Sequence, residues 1–344
     1  MHLRTRIAIG SVIALIAVYA VWPAEKKPAR QDKTTPSATT TTSSDAPPIA
    51  SAIATTTPSA AIATAEAGSA AFATARWGNR RGELGHERPA EGNAEGPMSL
   101  AIAGKDLLVL DQVNGRLVRY GADGKPIATN EIAPTVQDVA VAPNGNVMLL
   151  DRLGQKTITV TDPTGHHIGQ LPLPADPGTL TGVFVDGNDV YVEREHGALV
   201  RVGTVDGSPT TDVKELQGRP SKDGQLLLSA VMSGARVVLN AFDRKKEALR
   251  FTRAVDFPRP THTIVLLDTD ARGTIYLGVG SGDPEMANIA CLDPNDGKVI
   301  GRVAVPTSHV PEESFRDFSV GADGTIVYAV RSDEGVEYRT ARCP

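Results

Sequence analysis

The chain has 344 residues, with 35 basic and 40 acidic side chains for a formal net charge of -5, and aromatic residues make up 4% of it. Charges of both signs are spread without a long block and aromatic platforms are scarce, which argues against a basic-stripe or base-stacking surface, so no nucleic-acid partner is expected. The length allows one large domain or two average ones. Composition decides for one, because before about residue 70 large apolar side chains are confined to a single N-terminal run.

That run, Ile7 to Trp22, carries no charge, follows Arg4 and Arg6 and stops at Pro23. Its length lies between a signal-peptide core and the roughly 17 to 25 residues of a spanning helix. Val18 and Ala20 suit a signal peptidase, whereas Tyr19 and Trp22 suit the interfacial belt of a retained anchor, so residues 1–23 read as a signal anchor or a signal peptide. Lys26, Lys27, Arg30 and Lys33 outnumber the basic residues before the run, so charge bias does not place the C-terminus outside. The next segment does favour export: residues 24–69 are rich in Thr, Ala, Pro and Ser, cannot bury enough surface to fold, and read as a disordered tether. The expectation is a single-pass protein of a bacterial inner membrane with its folded part in the periplasm or outside, or a secreted protein after cleavage.

From residue 70 onward the sequence repeats. LLVLDQVNGRLVRYGADGK, starting at Leu107, aligns with VMLLDRLGQKTITVTDPTGH, starting at Val147, and DVYVEREHGALVRVGTVDG, starting at Asp189, so that Asp111, Asp151 and Glu193 recur about every 40 residues. Each unit reads as short apolar strands separated by turns. Asn114-Gly115, Asp123-Gly124, Asn144-Gly145, Asp186-Gly187, Asp206-Gly207, Asp223-Gly224, Asp296-Gly297 and Asp323-Gly324 suit two-residue hairpins with positive φ at both central positions. No helical periodicity is sustained.

Units of about 45 residues made of antiparallel strands point to propeller blades, and residues 72–344 hold six. Inner strands are expected at Leu100 to Ala103, Asp138 to Ala142, Gly182 to Asp186, near Gly218 to Ser221, Thr263 to Asp268 and Asp317 to Val320. The last unit lacks a fourth strand, and the orphan strand Ala70 to Trp77 is positioned to supply it and tie the ends of the ring together. The fold class is therefore all-β, a six-bladed β-propeller over residues 70–344.

The first unit resembles an NHL repeat, with Gly96-Pro97, Leu100-Ala101-Ile102, Leu108 to Asp111, Asn114, Arg116, Tyr120 and Gly124 in sequence. The second keeps Asp138, Gly145, Asp151 and Gly165 but has Gln155-Lys156 near where the Asn and Arg pair would stand. The resemblance implies fold rather than activity, since similar propellers include partner-binding domains, lyases and lactonases.

Motifs for chemistry are missing. His86, His196, His262 and His309 fall in expected loops without metal-ligand spacing, while His2 and the pair His166-His167 read as solvated. There is no nucleophile elbow and no phosphate-binding glycine loop, so no cofactor is expected. Cys291 and Cys343 fall near the ends of third strands in blades five and six, at similar heights, which makes them a disulfide candidate in an oxidising compartment.

The function expected is non-enzymatic binding or scaffolding in the bacterial cell envelope. The alternative is a small-molecule lyase or lactonase-like enzyme with a divalent ion near the axis. Convergence of three or more of Asp111, Asp138, Asp151, Glu193 and Asp317 at the axis would favour the enzyme, whereas pairing with arginines would favour binding. Loops between second and third strands and between blades share one face, which is the expected surface for an envelope protein or a small ligand. Its candidate residues are Asp111, Asp138, Asp151, Arg152, Glu193, Arg194, His196, His262, Arg316 and Asp317. Arg152, Arg194 and Arg316 are expected to be exposed enough for joint reversal to spare the fold.

Overall fold

The computed structural model describes residues 64–66, 70–212, 214–281, 286–308 and 312–344. The expected membrane segment 1–23 and most of the expected linker, residues 24–63 and 67–69, lie outside these. Among the described residues no helix is long and apolar enough to cross a membrane.

Six four-stranded antiparallel units form the propeller. Their innermost strands are Ser99–Ala103, Asp138–Val141, Leu180–Asp186, Arg219–Pro220, Thr261–Thr269 and Phe318–Val320, at the places the repeat pattern indicates. Ala71–Arg76 pairs antiparallel with Gly335–Ala341, from Ala71 opposite Arg339 to Arg76 opposite Gly335, and so completes blade six. The ring is closed by a strand from before blade one, which covers the edge that Gly335–Ala341 would otherwise leave open.

Blade five has a fifth strand. Thr64–Glu66 lies parallel to Val299–Pro306, with Thr64 opposite Arg302. Composition places these residues in the linker, and backbone pairing needs no large side chain, which is why composition did not reveal it.

The hairpin turn at Asn144-Gly145 differs from the expected two-residue form. Gly145 N donates to the Ala142 carbonyl at 2.8 Å, Ala142 N donates to the Asn146 carbonyl at 2.9 Å, and the Asn144 Oδ1 accepts from Asn146 N at 3.0 Å. Positive φ falls on Gly145 at 88° and not on Asn144. This is a type I turn with a glycine bulge, in which the Asn side chain supplies an extra turn bond, so the dipeptide serves a longer loop.

Apolar side chains from neighbouring blades meet in seams between them. The seam of blades two and three holds Met148, Leu150, Ile158, Leu171, Val183, Val190 and Val192, all essentially inaccessible. The seam of blades three and four is thin: its buried apolar cluster is Tyr191, Leu199 and Leu216, with Phe184 and Leu227 packed on it. Cys291 and Cys343 form a disulfide between blades five and six, with Cα atoms 6.4 Å apart.

Candidate functional site

The innermost strands all run the same way, so their first residues gather at one end of the axis, together with the turns between second and third strands. That end is the open face. A cavity of about 230 Å³ follows the axis and is walled by the first strands or adjoining residues of all six blades.

Arg316 and Asp138 tie this end together. Arg316 Nη2 donates to Asp138 Oδ2 at 2.9 Å and to the Val183 carbonyl at 3.1 Å. Asp138 also accepts from Ser99 Oγ at 2.6 Å and from the amides of Val139 and Val183, both at 2.9 Å. Blades one, two, three and six therefore meet on one carboxylate, whose side chain is 1% exposed. These contacts offset the desolvation cost of burying the carboxylate.

A second tie lies beside it. Arg219 holds Glu193 through Nε at 2.7 Å and Nη2 at 2.9 Å, and Thr181 Oγ1 donates to Glu193 at 2.8 Å. Burial works against ionisation of Glu193, but the contacts from His196, Arg219 and Thr181 outweigh it and hold the carboxyl down to about 2. Phe184 stands between the two ties, with the Arg219 guanidinium 4.9 Å and the Arg316 guanidinium 5.2 Å from its ring centre. Such stacking fixes both cations.

The other expected site residues are dispersed and engaged. Asp111 accepts from Arg116 Nε at 2.7 Å, Asn114 Nδ2 at 2.9 Å and Gly85 N at 2.9 Å. Asp151 accepts from Thr135 Oγ1 at 2.5 Å and from the amides of Gly154 and Gln155. Asp317 accepts from Arg331 at 2.6 Å and Ser314 at 2.7 Å. Four of the five carboxylates expected near the axis are thus paired with arginines. Among the described residues no group of His, Cys, Asp and Glu is arranged to hold a metal ion.

The expectation that Arg152, Arg194 and Arg316 stand free is corrected. Arg152 donates to Gln137 and to the Leu180 carbonyl and stacks 4.5 Å from the Phe315 ring centre; Arg194 pairs with Glu215. Arg316 is part of the axial tie. Long side chains at strand ends find carbonyls and carboxylates of neighbouring blades, which a one-dimensional reading does not reveal. His262 is exposed, at the start of the first strand of blade five rather than in a loop.

Sequence reasoning missed two features of the open face. Glu195 and His196 both adopt positive φ, 50° and 56°, in the tight turn closed by Gly197 N to the Arg194 carbonyl at 2.9 Å. Neither residue is at ease there, and strain of order 1 kcal/mol each is stored. The second is a projecting hairpin in blade four, Leu226–Ser233 with Arg236–Asp243, whose tip exposes Val231 and Met232. The signal for it was present in the long run LLLSAVMSGARVVLNAF, which exceeds the strand length of the earlier units.

No family model matches the chain, and no curated protein matches it. Among solved structures it is similar to hydrazine synthase of Kuenenia stuttgartiensis, at 13% identity over 71% of this chain and 80% of that one, with a TM-score of 0.44. It is also similar to a functionally unknown protein from Desulfotomaculum acetoxidans, at 14% identity over 74% and 87% with a TM-score of 0.48. A third is the C-terminal WD40 domain of Sif2, at 13% identity over 75% and 84% with a TM-score of 0.42. None of these likenesses bears on the chemistry of the site.

Proposed function

We propose that this β-propeller is a non-enzymatic binding or scaffolding protein of the bacterial cell envelope, tethered through its N-terminal segment, and that it docks a protein partner on its open face. One observation carries the docking surface. Of the large apolar side chains exposed among the described residues, Leu153 sits on a turn between second and third strands at the open face, and Val231 and Met232 sit at the tip of the blade-four hairpin of second and third strands, at 65%, 62% and 41% exposure. The remaining four, Ile127, Ile168, Leu249 and Ile300, are on the fourth strands of their blades, so the closed-face turns carry none. Clustered exposed apolar groups on rigidly held turns mark interaction surfaces.

The arc runs over blades two, three and four, with the strained turn at Glu195 and His196 in its middle. The uncharged run Ile7 to Trp22 and the Thr, Ala, Pro and Ser-rich linker support export and tethering. The disulfide suits an oxidising compartment.

The test is affinity capture from envelope extracts with a Leu153→Asp, Val231→Asp, Met232→Asp triple variant. Reversal of the closed-face residues Lys125 and Lys298 to Glu serves as comparison. Loss of the captured protein from the triple variant alone is the expected result; retention there with loss from the closed-face variant overturns the reading.

A further inference from the structure

The axis carries a second site, and we infer that its cavity binds a small carboxylate with an apolar tail. The head lies against Arg316 and Arg219 at the open-face end, and the tail runs along aliphatic side chains toward the closed face. None of the arc's exposed apolar side chains Leu153, Val231 and Met232 lines the cavity, although its mouth adjoins the arc at His196.

Size sets the first limit. At about 230 Å³ the cavity is below the roughly 300 Å³ at which drug-sized pockets begin, so the ligand is small.

Charge placement sets the second. Arg219 and Arg316 belong to the cavity wall, while their partners Glu193 and Asp138 stand behind it with side chains 0% and 1% exposed. Each pair is a fixed dipole with its positive end toward the cavity. An anion there is favoured without either pair having to break.

Hydrogen-bond accounting points the same way. Arg316 uses only Nη2 on Asp138 and Val183, and among the described residues no acceptor takes its Nε or Nη1. Each of these two nitrogens can donate to an anion in the cavity, and a guanidinium donor to a carboxylate oxygen is a charge-assisted bond. Phe184 holds both guanidiniums in position before a ligand arrives, which reduces the ordering cost of binding.

The far end decides the shape of the ligand. Beyond the arginines, in the later residues of the inner strands, the wall includes Ile102, Val141 and Val185. The cation at that end, Lys222, is taken by Asp268 and by the Thr269 carbonyl. A second anionic head finds no seat there, so the ligand has one carboxylate and an apolar remainder.

Isothermal titration of the full-length chain with hexanoate tests this, with hexylamine, hexanol and inorganic phosphate run in parallel. Saturable hexanoate binding is expected, with each of the other three at least tenfold weaker. Ile102→Trp, which fills the aliphatic end, should abolish it, and Arg316→Lys, which keeps the charge and loses the guanidinium donors, should weaken it at least tenfold. Circular dichroism establishes that each variant is folded; if Arg316→Lys is not, Ile102→Trp decides. Absence of saturable hexanoate binding, hexylamine, hexanol or phosphate binding as tightly as hexanoate, or hexanoate binding undiminished in Ile102→Trp or in folded Arg316→Lys overturns the assignment. These outcomes are independent of partner capture on the outer arc.

Discussion

Arg219 of blade four clasps Glu193 of blade three with two hydrogen bonds of 2.7 and 2.9 Å, at the seam where buried apolar side chains are fewest. At the closed-face end of the same seam Arg244 clasps Asp186 in the same two-point fashion, at 2.9 and 2.6 Å. Two arginine-carboxylate pairs thus bracket a core reduced to Tyr191, Leu199 and Leu216. Apolar packing is non-directional, whereas a two-point pair fixes angle as well as distance, so these clasps set the register of blade four on blade three.

The clasp makes the protein acid-labile in a defined window. The Glu193 carboxyl is held down to about 2 in the folded protein against 4.5 for a free glutamate, so the folded state binds this proton less readily than the unfolded one. Its contribution is complete above about pH 4.5 and is lost as the pH falls toward 2, on the order of 3 kcal/mol in total. Urea unfolding of the wild type followed from pH 6 to pH 3 should show this loss, and Glu193→Gln should flatten that part of the curve. Equal slopes in the two proteins would refute the role of Glu193.

The axial tie predicts an asymmetric response to mutation. Arg316→Met leaves Asp138 charged, 1% exposed and short of one donor, and should cost about 3 to 5 kcal/mol in urea unfolding. Asp138→Asn with Arg316→Met removes both charges and should recover a large part of that loss. If the double variant is no more stable than Arg316→Met, the cost is one of packing against Phe184 rather than of an unpaired charge.

The two ties differ in how far the sequence announced them. Asp111 and its relatives were legible because a strand-ending acid recurs about every 40 residues, and the NHL-like trio of Asp111, Asn114 and Arg116 is a local hydrogen-bonded unit within six residues. The inner strands and the closing strand Ala71–Arg76 were legible for the same reason, since a repeat with a missing member calls for one. What such an acid bonds to was not legible where the partner is distant. Arg316 lies 178 residues from Asp138, and Arg219 lies 26 from Glu193 in a strand of two residues that barely reads as one. Periodicity reports which face of a strand is buried; it is silent on which blades a ring brings side by side.

The disulfide should matter more than the place of Cys343, one residue from the end of the sequence, suggests. It closes a loop of 52 residues between blade five and the end of the chain, beside the seam that the Ala71–Arg76 strand must also close. Loop-closure entropy for that length corresponds to about 4 kcal/mol. Reduction with dithiothreitol, or Cys343→Ser, should lower the melting temperature by several degrees. An unchanged melting temperature would mean that strand pairing alone holds the ring shut.

The turn at Glu195 and His196 offers a direct test of whether strain on the open face has a use. Asn and Gly are the residues that suit two consecutive positive φ values, and here a glutamate and a histidine occupy them. Glu195→Asn with His196→Gly should relieve the strain and raise stability at neutral pH by about 1 kcal/mol in urea unfolding. The imidazole is 75% exposed and 3.6 Å from Glu193, so removing that pairing costs little at neutral pH. If the arc over blades two to four is a docking surface, the more stable variant should also capture its partner less well, because the strained turn holds two side chains where the partner meets them. A gain in stability with capture unchanged would leave the strain without a function, and a fall in stability would show that the turn is not strained at all.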